Sequence, residues 1–249
     1  MATALVTGAT SGIGREFCRQ LARQGHDLVL VARDRERLSS TARYLEKKEG
    51  ISAEILPADL SADEGVAAVC QRAGSVDVLV NNAGFGLGSP FLRDALKKEE
   101  DALNVMVRAV MATCHAAGNH MVSQGHGVII NISSVAALTG MGTYSAHKAW
   151  VQAFTEGLAE ELRGSGVTAT AVLPGLVHTE FHARMGNEMS GIPDFVWSRP
   201  SEVVAQSLRA AFKGQVLVTP TPIYRVVAGV ARIAPRSLVR VITRSIPHT

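Results

Sequence analysis

Apolar residues occur along the chain in two patterns, as short continuous runs and as longer segments of helical period. The short runs are rich in Val, Ile and Leu at consecutive positions, which is typical of strands that helices cover on both faces. They predict seven strands, over Thr3–Thr7, Asp27–Ala32, Ser52–Pro57, Asp77–Asn81, Gly127–Ile132, Thr168–Leu173 and Gln215–Thr219.

The longer segments carry their apolar residues on one side, as Ile13, Phe17 and Leu21 do at four-residue spacing. They predict helices over Gly12–Gln24, Arg35–Lys48, Ala62–Ala73, Lys97–Ser123, Tyr144–Arg163 and Pro200–Phe212. Because strand and helix alternate so regularly, we expect an α/β fold with a doubly wound, Rossmann-type parallel sheet and helices on both faces. Ligands of such sheets bind beyond the carboxyl ends of the strands.

The composition fits a single domain over residues 1–249, since no linker, repeat or low-complexity segment divides the chain and 47% of it is apolar. Cys18, Cys70 and Cys114 show no metal-ligand spacing and an odd count, so we expect neither a metal site nor a disulfide framework. The N-terminus lacks a signal-peptide pattern, and no apolar run reaches the roughly 20 residues that span a bilayer. These features predict a cytoplasmic protein.

A glycine-rich turn follows the first predicted strand and opens a helix, as Thr7-Gly8-Ala9-Thr10-Ser11-Gly12-Ile13-Gly14. Glycines at this junction let the backbone approach a pyrophosphate, which then lies at the positive end of the helix dipole. The spacing Gly-x-x-x-Gly-x-Gly differs from the Gly-x-Gly-x-x-Gly of long-chain dehydrogenases. We therefore expect a dinucleotide site that includes Gly8, Thr10, Ser11, Gly12, Ile13 and Gly14.

The second strand ends in Ala32 and Arg33, at the point where NAD enzymes place a carboxylate for the ribose 2′-hydroxyl. A guanidinium at this position suits a 2′-phosphate instead, which favours NADP(H) over NAD(H). After the third strand, Asp59 and Leu60 are candidates for the adenine, although a helix-capping role for Asp59 is an open alternative.

Further motifs follow the later strands in a fixed order: Asn81–Gly84, Asn131–Ser134, Tyr144–Lys148 and Pro174–Thr179. With the glycine turn, these five landmarks resemble the short-chain dehydrogenase/reductase family over about residues 3–219. The resemblance implies that Tyr144, Lys148 and Ser134 are catalytic, with Asn104 ordering a proton relay. It also implies that Asn82, Ala83, Gly84, Tyr144, Lys148, Pro174, Gly175, Val177 and Thr179 bind the cofactor.

The chemistry of these residues agrees with those roles. Tyr144 and Lys148 are four residues apart and share one face of a helix. An ammonium beside a phenol favours the phenolate, so we expect the pKa of Tyr144 to lie below its ordinary value near 10. Ser134 precedes Tyr144 by ten residues, whereas the family's spacing is thirteen. The shorter loop leaves open whether Ser134 or Ser133 faces the substrate.

Two segments bear on the substrate and the partners. Residues 180–199 hold many apolar side chains and resemble the family's substrate lid, although packing against the core is an equal alternative.

Residues 203–249 carry seven Arg and Lys and no Asp or Glu, against a net charge of +3 for the whole chain. Within residues 220–249, Arg232, Arg236, Arg240 and Arg244 recur every fourth residue. This pattern predicts a basic amphipathic helix, interrupted at Pro235, that lies on an anionic membrane, on a neighbouring subunit or on its own domain.

The sequence thus predicts an NADPH-dependent oxidoreductase that reduces a hydrophobic ketone or 3-oxoacyl-type substrate to a secondary alcohol, with Tyr144 as general acid. An alcohol dehydrogenase working in the oxidative direction and a non-catalytic dinucleotide-binding regulator are the alternatives. The family resemblance implies a homodimer or homotetramer. Nucleic-acid binding is not expected, because only the tail is basic and no reader motif accompanies it.

Overall fold

Seven parallel strands form one sheet in the computed structural model, which describes residues 2–181 and 193–243. The strands are β1 (Thr3–Thr7), β2 (Asp27–Ala32), β3 (Ala53–Pro57), β4 (Val78–Asn81), β5 (Gly127–Ile132), β6 (Val167–Val172) and β7 (Leu217–Val218), in the spatial order β3-β2-β1-β4-β5-β6-β7. This order reverses direction beside β1, as in a doubly wound sheet. The predicted fold class is confirmed.

The helices of the described residues are α1 (Gly12–Arg23), α2 (Arg35–Glu49), α3 (Asp63–Ala73), α4 (Leu96–Leu103), α5 (Ala109–Gln124), α6 (Gly142–Glu161), α7 (Pro200–Ala211), α8 (Pro222–Ile233) and α9 (Arg236–Thr243). Alternate residues of a strand face opposite sides of the sheet, so Leu5 packs with α3, α5 and α6, while Ala4 and Val6 pack with α1, α2 and α7. Two apolar cores therefore flank the sheet.

The predicted helix over Lys97–Ser123 is divided in the structure. Its α4 and α5 portions are joined by a π-helical turn, Asn104–Arg108, which widens the helix by one residue. Such turns occur frequently at functional sites. This one lies on the side of the sheet that carries α6.

The C-terminal segment forms two helices rather than one, as the position of Pro235 predicts. Ala234 has an extended backbone because a residue before proline disfavours the helical conformation, and α9 begins after the proline. No helix within residues 2–181 and 193–243 is long and apolar enough to cross a membrane.

A glycine makes room for the first of these two helices. A β-carbon on Gly175, directly after β6, would lie 2.1 Å from the ring of Tyr224 on α8. The Tyr224 hydroxyl donates to the carbonyl oxygen of Val196 at 3.0 Å. The C-terminal segment is thus attached to the edge of the sheet through one buried tyrosine.

Replacing Gly175 by Ala is expected to lower the free energy of unfolding by about 1–3 kcal/mol, because the added methyl overlaps the Tyr224 ring. Gly229→Ala is the matched control: a β-carbon there would have no neighbour within 4 Å on α8. Alanine in a helix interior should stabilise by about 0.5–1 kcal/mol relative to glycine. Urea unfolding measures both changes, and equal stability of Gly175→Ala and wild type would contradict this packing.

Candidate active site

A cavity of about 1880 Å³ opens at the carboxyl ends of the strands. Small-molecule pockets occupy roughly 300–1,000 Å³, so this cavity has room for a dinucleotide and a second ligand. It is lined by every predicted cofactor residue except Gly14, namely Gly8, Thr10, Ser11, Gly12, Ile13, Arg33, Asp59, Leu60, Asn82, Ala83, Gly84, Tyr144, Lys148, Pro174, Gly175, Val177 and Thr179.

The glycine turn forms a cradle at the start of α1. Gly8 has φ +68°, a conformation that favours glycine, and a β-carbon on Gly14 would lie 2.2 Å from the carbonyl oxygen of Gly8. Ser11 caps α1 without a side-chain hydrogen bond, and no acidic residue occupies the first turn. The first N–H groups of α1 are therefore available to an anion, and the residues present fit a dinucleotide pyrophosphate.

Polar side chains fix the strand ends around this cradle. The Thr7 hydroxyl accepts from the backbone N–H of Asn82 and of Ala83 at 2.9 and 3.0 Å. The Asn82 amide donates in turn to the carbonyl oxygen of Thr7 at 2.9 Å. Asn82 thus holds β1 and β4 together, and its backbone and that of Ala83 form the floor of the cavity.

The ribose 2′ end of the cavity carries two guanidinium groups. Arg33 is exposed and lines the cavity as predicted, and Arg37, one helical turn later on α2, lines it too. The Arg37 Nη2 atom donates to the carbonyl oxygen of Thr10 at 3.2 Å and forms an ion pair with Glu180 at 3.0 Å. Arg37 was not predicted from the sequence, although its place in the first turn of the helix that follows Arg33 is a signal that could have found it.

Asp59 lines the same end, but its carboxylate has a local partner. The Asp59 Oδ1 atom accepts from the backbone N–H and the hydroxyl of Ser61 at 3.0 and 2.8 Å. The N–H of Ser61 is the main cause that lowers the pKa of Asp59. Asp59 therefore shapes the turn before α3 without capping that helix, whose N-cap is Ala62, while Leu60 beside it remains in the cavity wall.

Tyr144 and Lys148 lie together on α6, facing the cavity. The Lys148 Nζ atom is 5.7 Å from the centre of the Tyr144 ring and donates to the carbonyl oxygen of Ile132 at 2.8 Å. Ser134 hydrogen-bonds to the Tyr144 hydroxyl. Ser133, by contrast, is buried and donates to the carbonyl oxygen of Lys148 at 2.7 Å. Of the two serines, Ser134 is therefore the one placed to act with Tyr144.

The short loop before Tyr144 is closed by local hydrogen bonds. Residues Val135–Leu138 form a 3₁₀ helix that Ser134 caps, accepting from the N–H of Ala136 at 3.1 Å. The hydroxyls of Thr139 and Ser145 are 3.1 Å apart and join the loop to α6. Because α6 begins at Gly142, two residues earlier than predicted, the strand end and the helix meet across a shorter loop.

The direction of the pKa change at Tyr144 is opposite to the sequence-based expectation. Burial raises the pKa of Tyr144 to about 12, and the hydrogen bond from Ser134 only partly offsets this. Burial also lowers the pKa of Lys148 to about 8. The expectation was wrong because it counted the ammonium and left out the removal of both groups from water.

If Tyr144 is the general acid of a carbonyl reduction, as the sequence predicts, these pKa values determine how that reaction depends on pH. Tyr144 keeps its proton throughout the neutral range, whereas Lys148 is charged below pH 8 and becomes neutral as the pH rises through about 8. We expect kcat/KM for reduction to be level below pH 7 and to fall above pH 8, as the charge beside Tyr144 is lost. A pH–rate profile measures this, and a midpoint near the ordinary lysine pKa of about 10.4 would contradict it.

The structure does not bring Asn104 to the catalytic residues. Its side-chain amide donates to the carbonyl oxygen of Ser61 at 3.2 Å. The residue of this helix beside Lys148 is Met106: a β-carbon on Gly84 would lie 3.3 Å from Met106 Sδ and 3.5 Å from Lys148 Nζ. Two residues along a helix turn a side chain by about 200°, which explains why Asn104 faces away. A thioether has no proton to donate, so Met106 cannot relay one.

Replacing Asn104 by Ala is accordingly expected to change kcat by less than about threefold. The lost hydrogen bond to Ser61 should cost about 1 kcal/mol of stability, as for an ordinary neutral bond. Steady-state kinetics together with thermal unfolding separate the two effects. A tenfold loss of kcat at unchanged stability would place Asn104 in the catalytic machinery after all.

The part of the cavity next to Tyr144 is apolar. The rings of Tyr144 and Phe181 are 5.8 Å apart, and the opposite wall comes from the C-terminal helices. Eight residues of this segment line the cavity, and all but the first are aliphatic: Tyr224, Val226, Val227, Val230, Ala231, Ala234, Leu238 and Val239. This contribution of the tail to the cavity was not predicted, although the four-residue spacing of Val226, Val230 and Ala234 indicates an apolar helix face that must pack against something. Residues 182–192 of the predicted lid lie outside the described residues.

Comparisons with known proteins agree with this geometry. A family model described as short chain dehydrogenase matches residues 2–190. Carbonyl reductase family member 4 of Danio rerio is 36% identical over 217 residues, which cover 82% of this chain and 89% of that protein.

Two solved structures are similar along most of the chain. A short-chain dehydrogenase from Sphingobium yanoikuyae in complex with NADPH superposes with a TM-score of 0.85 at 33% identity, covering 93% of this chain and 94% of the other. A bulky-bulky ketone specific alcohol dehydrogenase from Comamonas testosteroni gives a TM-score of 0.80 at 27% identity, covering 99% of both chains. The second likeness extends over the C-terminal helices.

Proposed function

The chain belongs to the short-chain dehydrogenase/reductase family, and on that premise we propose that it is an NADPH-dependent reductase of bulky, hydrophobic ketones. The observation that carries the proposal is the apolar part of the cavity beside Tyr144 and Ser134, at the other end from two guanidinium groups. An uncharged, hydrophobic carbonyl compound fits the apolar end beside Tyr144. A 2′-phosphate fits the end that carries the two guanidinium groups.

The residues that would hold the cofactor follow from the site. The first turn of α1 would receive the pyrophosphate, Arg33 and Arg37 the 2′-phosphate, and Lys148 the ribose hydroxyls of the nicotinamide half. Thr179 is placed nearby, since a β-carbon on Gly12 would lie 3.1 Å from its side chain. When bound, reduced nicotinamide supplies a hydride to a carbonyl carbon. The solved relative from Sphingobium yanoikuyae, which contains NADPH, supports this choice of cofactor.

The chain's own groups would act on the carbonyl oxygen. Ser134 and Tyr144 are hydrogen-bonded to each other and can both donate to that oxygen, which fixes its position and stabilises the charge that develops on it. As the carbonyl carbon receives a hydride, Tyr144 would give its proton to the oxygen, which completes the alcohol and leaves the tyrosine as a phenolate. Lys148, charged below pH 8, stabilises that phenolate.

The reductive direction is favoured by the protonation state of Tyr144. Because burial raises its pKa to about 12, the hydroxyl carries its proton at neutral pH and is ready to act as an acid. Oxidation of an alcohol needs the phenolate as a base, so the alternative of an alcohol dehydrogenase would be favoured by a higher pH.

We also propose that the protein is a homodimer or homotetramer through α4 and α5. Leu103 and Met111 on these helices are exposed large apolar side chains. Such residues are expected at a subunit interface. Light scattering of the wild type and of Met111→Asp measures the assembly, and a monomeric wild type would contradict this proposal.

The function is tested by following NADPH oxidation with a panel of ketones. The panel contains bulky aromatic and aliphatic ketones and 3-oxoacyl thioesters, with ketose sugars as polar counterparts. We expect turnover of bulky ketones to exceed that of the sugars by at least tenfold in kcat/KM, because aliphatic side chains of α8 and α9 form much of the cavity wall among the described residues. Preference for the ketoses, or for NADH, would contradict the proposal.

A further inference from the structure

The helices α8 and α9 present an unusual apolar surface at the mouth of the cavity. On α8, Val226, Val230 and Ile233 are 68%, 57% and 86% exposed, at positions that share one side of the helix. Leu238 on α9 is half exposed. We call these four side chains the apolar rim.

Arginines flank the apolar rim. Arg225 and Arg232, seven residues apart on α8, lie together on a flank away from Val226 and Val230, and both are exposed. Arg236 and Arg240 on α9 are exposed too. The chain has no Asp or Glu after Glu202, so this segment is basic in composition. An apolar side next to an arginine-bearing side is the arrangement of helices that lie in a membrane interface.

The rim is continuous with the active-site cavity. Val226, Val230 and Leu238 belong to the rim and also line the cavity that holds Tyr144. A molecule that leaves an apolar phase at the rim can therefore reach the catalytic tyrosine along apolar walls.

From the rim, its arginines and its continuity with the cavity, we propose that α8 and α9 dock on the surface of an anionic lipid bilayer. The apolar rim enters the acyl boundary and the arginines bind headgroup phosphates. The ketone passes from the bilayer into the cavity, a second step that rests on the proposed function. A second copy of the chain is a poorer occupant, because a symmetric contact through this surface would set arginines against arginines.

Docking is tested by sedimentation with vesicles of phosphatidylcholine alone or with one third phosphatidylglycerol, without cofactor or ketone. We expect wild type to bind the anionic vesicles at least tenfold more strongly than the neutral ones, and 0.5 M NaCl to release it. The double variant Arg225→Gln, Arg232→Gln and the single variant Ile233→Ser should each weaken binding at least fivefold. None of these three residues lines the cavity in the described part of the chain.

Matched variants elsewhere on the surface serve as controls. Arg43→Gln with Lys47→Gln removes two exposed charges four residues apart on α2, and Leu92→Ser removes an apolar side chain that is 91% exposed. Both should bind like wild type, and all variants should turn over a water-soluble ketone equally. The proposal would be overturned if wild type bound both vesicle types equally or if the control variants lost as much vesicle binding as the test variants. It would also be overturned if the protein self-associated through the rim instead of binding vesicles.

Failure of docking and failure of the proposed function can be told apart. Vesicle binding needs no turnover, so it stands even if no ketone is reduced. For the second step, a ketone dissolved in the vesicles is supplied, and anionic vesicles should raise its kcat/KM at least fivefold over neutral ones in wild type but not in the Arg225→Gln, Arg232→Gln variant. An equal rate in both proteins would overturn delivery from the bilayer.

Discussion

Replacing Tyr144 by Phe is expected to lower kcat for ketone reduction by about 10²–10⁴-fold, the range that a positioned general acid contributes. The substitution removes the only hydroxyl that is hydrogen-bonded to Ser134 and lies beside Lys148 within the described residues. The ring remains, so its contact with Phe181 and the shape of the cavity should persist. Binding of NADPH should stay within about threefold of wild type.

Tyr224→Phe is the matched control for this experiment. Tyr224 is also a buried tyrosine that lines the same cavity, but its hydroxyl bonds to the backbone of Val196. We expect kcat close to that of wild type and a loss of about 1 kcal/mol in stability. If the Tyr144→Phe variant kept more than a tenth of the wild-type kcat, Tyr144 would not be the general acid.

Replacing Arg33 by Ala should raise the Kd for NADPH by about tenfold to a hundredfold, since a hydrogen bond to a charged group contributes roughly 1.5–3 kcal/mol. The Kd for NADH should change by less than about twofold, because NADH lacks the 2′-phosphate. Arg37→Ala should have a smaller effect, because the Arg37 guanidinium already has a partner in Glu180.

Fluorescence titration of both dinucleotides measures these changes. Arg35→Ala is the control, since Arg35 is exposed at the start of the same helix and does not line the cavity. If Arg33→Ala weakened the binding of NADH as much as that of NADPH, the guanidinium would bind a part of the cofactor that both dinucleotides share. The predicted preference for NADPH would then lose its structural basis.

The fold could be predicted in detail because its signals are local. Strands β1, β2 and β5 begin and end at the predicted residues, since a continuous apolar run bounded by turn residues defines a buried parallel strand by itself. The glycine turn could be predicted equally well. Its backbone conformation at Gly8 and the close approach of Gly14 to Gly8 leave no room for a β-carbon, so the sequence must carry glycine there.

What the sequence could not supply depends on contacts between distant segments. The side on which Asn104 lies depends on where α4 passes into the π-helical turn, and that boundary carries no composition signal. The contact between Tyr224 and Gly175 joins residues 49 positions apart, so the apolar spacing of the tail could predict a helix but not the surface against which that helix packs. The pKa of Tyr144 depends on burial, which no residue spacing reveals.

The most direct test is transfer of deuterium from NADPH that carries two deuterium atoms at nicotinamide C4 to a bulky ketone, with the product analysed by mass spectrometry. We predict one deuterium on the carbinol carbon with wild type, and at least a hundredfold less labelled product in the same time with Tyr144→Phe. Product formed equally by both proteins, or an alcohol with no deuterium on that carbon, would contradict this prediction.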